Sequence, residues 1–169
     1  IRYTRAFATA PVCSPARSCL ITGVPATSLG TMNLRSRLPV PATMRGFPAL
    51  LRAAGYYCAN NVKTDYNTRD EPAIVAASWD ESSPRAHWRK RKPGQPFFAV
   101  FNGMVTHQSR AFESFDGEME KLLPGEERHD PARAPLPPYY PDTPAARRTM
   151  ARFHDCVTVL DRDHVGRIL

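Results

Sequence analysis

The chain has 169 residues, 42% of them hydrophobic, and a formal net charge of +7. That length and apolar content suffice for one domain with a core, so disorder is not the default expectation. The charge favours acidic partners, whether nucleic acid, an anionic surface or a sulfated glycan, without choosing among them.

No run reaches the ~18 apolar residues of a membrane span, and the start of the chain lacks the apolar core of a signal peptide. The four cysteines, Cys13, Cys19, Cys58 and Cys156, show no paired zinc spacing and are too few for a disulfide scaffold. From its two ends the chain reads as an internal piece of a longer protein. Seven of the 17 prolines cluster between Lys121 and Pro144, which predicts one long exposed loop there.

Taken in chain order, the first element is a short helix over Ala16 to Ile21. Pro15 opens it and Gly23 closes it, which places Cys13 at a helix N-terminus. Phe47 to Ala54 predicts a second helix, with Gly55 as its stop. "YYCANNV" reads as a strand, directly followed by Lys63. The basic run "HWRKRKPGQP" from His87 reads as a solvated turn. Phe97 to Val105 is the clearest strand, apolar enough for a buried parallel one, with His107 just past its end.

From Thr143 to Leu169, Met150, Phe153, Val157, Leu160 and Ile168 keep helical spacing, with Asp142 or Thr143 as cap and Pro144 in the first turn. Alternating helices and strands make the class α/β. In an open sheet of that class ligands bind beyond the strands' C-terminal ends, and Cys13, Lys63 and His107 are candidates for such positions.

Around Cys13, Ser14, Pro15 and Arg17 are turn and helix-start residues. The thiol therefore belongs at a loop-helix junction where the helix dipole and Arg17 favour an anion. Cys19, in the same stretch, reads as a buried thiol.

The segment "PVCSPARSCLITG" resembles the signature of type I sulfatases, in which the cysteine is oxidised to Cα-formylglycine. "GYYCANNVKTDYN", "WDESSPRAHWRKRK", "PFFAVFNGMVTHQSR" and the segment from Pro141 onward follow the mid-portion of sulfatases similar to heparan N-sulfatase and its bacterial relatives. The resemblance implies an alkaline-phosphatase-like α/β sandwich with a mainly parallel or mixed central sheet. The whole of 1–169 would be part of the N-terminal catalytic domain, truncated at both ends and inactive alone.

It also implies a mechanism. The aldehyde made from Cys13 is hydrated to a gem-diol; one hydroxyl attacks sulfur and the other later expels sulfate. Arg17 resembles the arginine that steadies the diol, a task for a permanently charged guanidinium. Lys63 resembles the sulfate-binding lysine of the Gly-Lys-Trp-His motif, although Thr64 and Asp65 replace its tryptophan and histidine. His107 resembles the histidine that contacts sulfate and protonates the leaving oxygen, work suited to its near-neutral pKa.

The family further implies one calcium ion held by hard oxygen ligands. Only the oxidised Cys13 side chain among those ligands falls inside this chain. Asp163-His164 is rejected as the family's later metal pair because it lies in a helical pattern, and His87, His129 and His154 read as surface or helix residues.

The expected substrate is a sulfated carbohydrate or other sulfate ester or sulfamate, and the expected partner a formylglycine-generating maturation enzyme. Neither nucleic acid nor a membrane span is expected, and the compartment would be periplasmic, secreted or lysosome-like. Two alternatives stand beside this: a phosphoester or phosphonate hydrolase of the same superfamily, and a non-catalytic basic module for glycan or nucleic acid.

Overall fold

A computed structural model describes residues 3–168, which form two compact units, one reaching to Asn102 and one starting at Gly103. In the first unit, helix α1 (Cys13–Thr22) starts earlier than the sequence predicted, with Val12 as its N-cap and Cys13 in its first position. Pro15 sits within the first turn, where its missing N–H costs nothing. Gly23 ends the helix at φ +71°, a left-handed turn that glycine adopts without strain.

A single turn α2 (Ala26–Leu29) follows, then α3 (Phe47–Ala53), close to the predicted bounds. Strand β1 (Tyr57–Asn61) lies in the middle of a three-stranded sheet, parallel to both β2 (Glu81–Ser82) and β3 (Phe97–Phe101). Helix α4 (Glu71–Ser78) connects β1 to β2. The core packs Ile21 of α1 and Ile74 of α4 against Cys58, Tyr66 and Trp79. Trp79 stacks on Phe98 at 6.0 Å and donates its indole N–H to the Tyr66 hydroxyl at 3.0 Å, which satisfies the polar ends of two buried rings.

Strand β3 departs from its prediction twice. It stops at Phe101, where the Asn102 amide makes the last ladder bond to the Asn61 carbonyl at 2.7 Å and the Asn102 side chain donates to the same oxygen at 2.9 Å. It is also only half-buried: Phe97 is 43% exposed, covered by Trp88 stacked at 5.5 Å and by the Arg91 guanidinium at 4.9 Å. The basic run is the expected solvated turn, with a 3₁₀ turn at Trp88–Lys90 and exposed Arg89, Lys90 and Lys92.

In the second unit, Val105, Phe115, Met119, Leu123, Cys156 and Val159 form the core between α5 (Asp116–Leu122) and α6 (Pro144–Val159). The proline-rich stretch is mostly irregular, with two 3₁₀ turns, Gly125–Glu127 and Pro131–Arg133, and with Leu123 and Ala134 buried. Thr143 is the cap of α6, accepting from the Ala146 amide at 3.2 Å. Asp142 instead takes Arg147, at 2.5 and 2.7 Å.

The helical spacing of the apolar residues does not mark the buried face of α6. Ala151, Asp155, Cys156 and Val159 face inward, whereas Phe153 and Val157 are exposed. A polar residue explains the change of phase: buried Asp155 accepts from Arg128 at 3.2 Å and from the His129 amide at 2.8 Å, anchoring the preceding loop. The helix then widens to π geometry at Leu160–Val165, where His164 is exposed and Asp163 pairs with Arg162 at 3.0 Å.

Candidate active site

Cys13 is exposed and the other three cysteines are buried; all four are unpaired. Its position at the start of a ten-residue helix leaves the Cys13 and Ser14 amides without helical acceptors. No acidic side chain occupies that first turn, so the dipole end is uncompensated. Arg17 lies one turn on, and residues four apart share a helix face.

Arg17 is fixed from the segment after β1. Its Nε donates to the Thr64 carbonyl at 2.6 Å, and its Nη2 donates to the carbonyl of Lys63. Two of the five guanidinium donors are used in this way, and they bring Lys63 to the same end of α1. Lys63 lies two residues beyond β1, at the C-terminal end of the central strand, and its ammonium stands 3.6 Å from Asp65.

Thr64 and Asp65, the departures from the expected Gly-Lys-Trp-His pattern, have structural partners. The Thr64 hydroxyl donates to Glu71, and the Asp65 and Tyr66 amides donate to the same carboxylate at 3.1 and 2.8 Å. The N-terminal residue of α4 thus holds the lysine loop. Behind Lys63, buried Asn60 donates to the Lys63 carbonyl at 3.2 Å and to Ser82 Oγ at 2.9 Å, and accepts from Asn102 at 3.1 Å. All three strand ends are joined there.

The residue that sequence reasoning missed most clearly is Asn67. It is buried at φ +61°, a conformation that asparagine tolerates better than most. Its Oδ1 accepts from Ser14 Oγ at 3.0 Å and from the Ser36 amide at 2.8 Å. Its Nδ2 donates to the carbonyls of Thr31 and Asn33 at 2.7 and 2.8 Å. The only sequence signal was an asparagine in a polar loop; its partners are up to 53 positions away.

His107 belongs to the second unit and stands six residues past β3, between two 3₁₀ turns, not just past a strand end. Its Nδ1 accepts from the Ser109 amide at 3.4 Å and lies 2.9 Å from the Ser109 hydroxyl. With Nδ1 accepting from that amide, the neutral ring carries its proton on Nε2. In the same unit His129 and His154 approach to 5.6 Å between ring centroids, which sequence spacing did not show.

Among the described residues no three His, Cys, Asp or Glu side chains group to hold a metal ion. The donors of this chain do not by themselves fit a calcium site, since the first turn of α1 carries no carboxylate beside Cys13.

Residues 1–161 match the family described as Sulfatase. The chain belongs to the sulfatase family. It is 35% identical, over an alignment of 206 positions, to an ulvan-active sulfatase of Formosa agariphila, which covers 99% of this chain and 34% of the relative. The chain therefore spans about a third of the length of the curated relative it matches. The sulfatase domain belongs to the alkaline-phosphatase-like superfamily, and the three parallel strands are a partial α/β domain of that kind.

Proposed function

We propose that the protein containing this chain is a sulfuric ester hydrolase that removes sulfate from a sulfated polysaccharide, with residue 13 as the nucleophile's source. One observation carries the reading. An exposed cysteine at an uncompensated helix N-terminus shares a helix face with Arg17, whose guanidinium is tied to the backbone of Lys63. Residues 1–169 supply part of the catalytic domain in this account.

A sulfate ester presents a tetrahedral sulfur ringed by anionic oxygens. It requires a strong nucleophile, fixed cations and a proton donor for the leaving oxygen. Position 13 would carry formylglycine, placed there by a maturation enzyme, and its hydrate would supply the attacking oxygen. Arg17 would steady the charge developing on that hydrate, and Lys63 would bind a sulfate oxygen as a point charge.

His107 would protonate the leaving oxygen from Nε2. A calcium ion, when bound, would polarise the sulfate; the side chain at position 13 would contact it, and the other oxygen ligands would come from outside this chain. A sulfated polysaccharide is met outside the cytoplasm, so we place the protein in an exported compartment.

The test is turnover of 4-nitrophenyl sulfate and 4-nitrophenyl phosphate by the full-length protein, produced in a host that matures formylglycine. Faster turnover of the sulfate supports the reading. Faster turnover of the phosphate would assign the site to phosphoester hydrolysis, which the same cations could serve.

A further inference from the structure

A cleft of about 490 Å³ opens beside the lysine loop, with Arg35, Arg37 and Arg69 on its walls together with Asp65 and Glu71. The two carboxylates are already engaged, Asp65 by Lys63 and Glu71 by Thr64 and two backbone amides. Of the three exposed arginines, only Arg69 meets a carboxylate among the described residues, Asp70 at 3.7 Å. The cleft therefore presents two guanidinium groups, Arg35 and Arg37, that meet no carboxylate among the described residues.

Its walls are held to the nucleophile's helix. The Arg35 amide donates to Ser14 Oγ at 3.3 Å, and Ser14 follows Cys13 directly. Ser36 and Ser14 meet on one Asn67 oxygen. Arg35, Asp65 and Asn67 all adopt left-handed φ, at +58°, +56° and +61°. Such conformations are costly for residues other than glycine, and they persist where surrounding contacts impose them, often at binding sites.

We propose that this cleft is a subsite for a second anionic group, carboxylate or sulfate, on the sugar chain whose sulfate ester stands at Cys13. The proposal rests on the sulfatase reading of the site and adds a substrate requirement to it. Guanidinium forks match both oxyanions with paired N–H donors. A neutral sugar would leave Arg35 and Arg37 without an anionic partner.

The experiment is competition against 4-nitrophenyl sulfate turnover by the full-length matured protein. The competitors are inorganic sulfate, a chondroitin sulfate tetrasaccharide, its carboxyl-reduced form, and a dextran sulfate oligosaccharide of similar size. In Arg35→Gln/Arg37→Gln/Arg69→Gln the inhibition constant of the charged oligosaccharides rises about tenfold or more relative to that of inorganic sulfate, as for loss of one to two charged hydrogen bonds.

The single variant Arg37→Gln shows the same trend on a smaller scale and covers the case in which the triple variant misfolds. A control, Arg85→Gln/Lys92→Gln, removes two exposed charges from the same unit and leaves that ratio in place. Weaker inhibition by the carboxyl-reduced form assigns the subsite to carboxylate; equal inhibition, with dextran sulfate also binding, assigns it to sulfate. Equal shifts in the arginine variants and the control overturn the proposal, since general charge would then explain them. If the wild-type protein fails to turn over the aryl sulfate, the sulfatase reading itself falls, a result distinct from a flat inhibition ratio.

Discussion

The hydroxyl of Ser14 donates to Oδ1 of Asn67 at 3.0 Å, across 53 positions of sequence. This bond joins the residue beside Cys13 to the loop that follows Lys63. Asn67 makes four hydrogen bonds to two separate segments, Ser14 of α1 and the loop from Thr31 to Ser36, so its removal leaves several buried groups unpaired. Asn67→Ala is expected to lower unfolding free energy by about 2 to 4 kcal/mol. Ser14→Ala removes that bond while Asn67 keeps its three backbone partners, and should keep the fold while reducing kcat more than KM for 4-nitrophenyl sulfate. Unchanged kinetics in Ser14→Ala would show that the bond to Asn67 does not position residue 13.

Arg17 spans the same junction with a rigid fork, and a lysine in its place cannot reach two carbonyls at once. Arg17→Lys should lower kcat/KM for aryl sulfate by roughly 10²-fold, the scale of losing one fixed electrostatic donor. Circular dichroism should remain unchanged. Retained activity would limit Arg17 to a structural role.

The role given to His107 predicts a dependence on the leaving group. 4-Nitrophenolate departs without a proton, whereas a sugar alkoxide needs one. His107→Ala should therefore cost little on 4-nitrophenyl sulfate and roughly 10²-fold or more on a sulfated sugar. An equal loss on both substrates would assign His107 to sulfate binding alone.

Gly46 shows how closely the elements behind the site are packed. A Cβ there would lie 2.9 Å from Ile21 Cγ1 of α1 and overlap the Ser78 hydroxyl of α4. Gly46→Ala should destabilise the protein by about 1 to 3 kcal/mol, read as a lower urea midpoint with an unchanged m-value. A midpoint equal to wild type would mean that these helices yield easily.

In the second unit Arg152 holds Asp116 through two bonds of 2.7 and 2.8 Å, which keeps that carboxyl below its ordinary range. A lowered folded-state pKa contributes stability above the unfolded value near 3.8, and that contribution fades as pH falls through the folded value. Asp116 is partly solvated, so Asp116→Asn should cost about 1 kcal/mol at neutral pH. The gap between variant and wild type in urea denaturation should narrow as pH falls below the unfolded value near 3.8. A gap that stays constant into acid would exclude the ion pair as its source.

Much of the site was legible because its chemistry is concentrated in local motifs. Cys13 and Arg17 lie within one helical turn, and Lys63 follows a strand whose apolar pattern is plain. What sequence could not show depends on distant partners: Asn67 looks like any loop asparagine until Ser14, Thr31, Asn33 and Ser36 close around it. The phase of α6 was misjudged for a related reason. Hydrophobic spacing selected Phe153 and Val157, while the fold buried Asp155 because Arg128 and His129 satisfy it. β3 was read too long because Met104 and Val105 resume the apolar run after the polar break at Asn102-Gly103, whereas Met104–Thr106 is a 3₁₀ turn.

The central claim is that residue 13 does not act as a thiol. Mass spectrometry of the peptide containing it, from full-length protein made in a formylglycine-maturing host, tests this most directly. The account predicts a peptide that has lost the Cys13 sulfur and carries a hydrazide-reactive aldehyde. Cys58, whose thiol burial raises to about 11, and the buried Cys19 and Cys156 should remain intact. Sulfate ester turnover by protein in which Cys13 is wholly unmodified would contradict it.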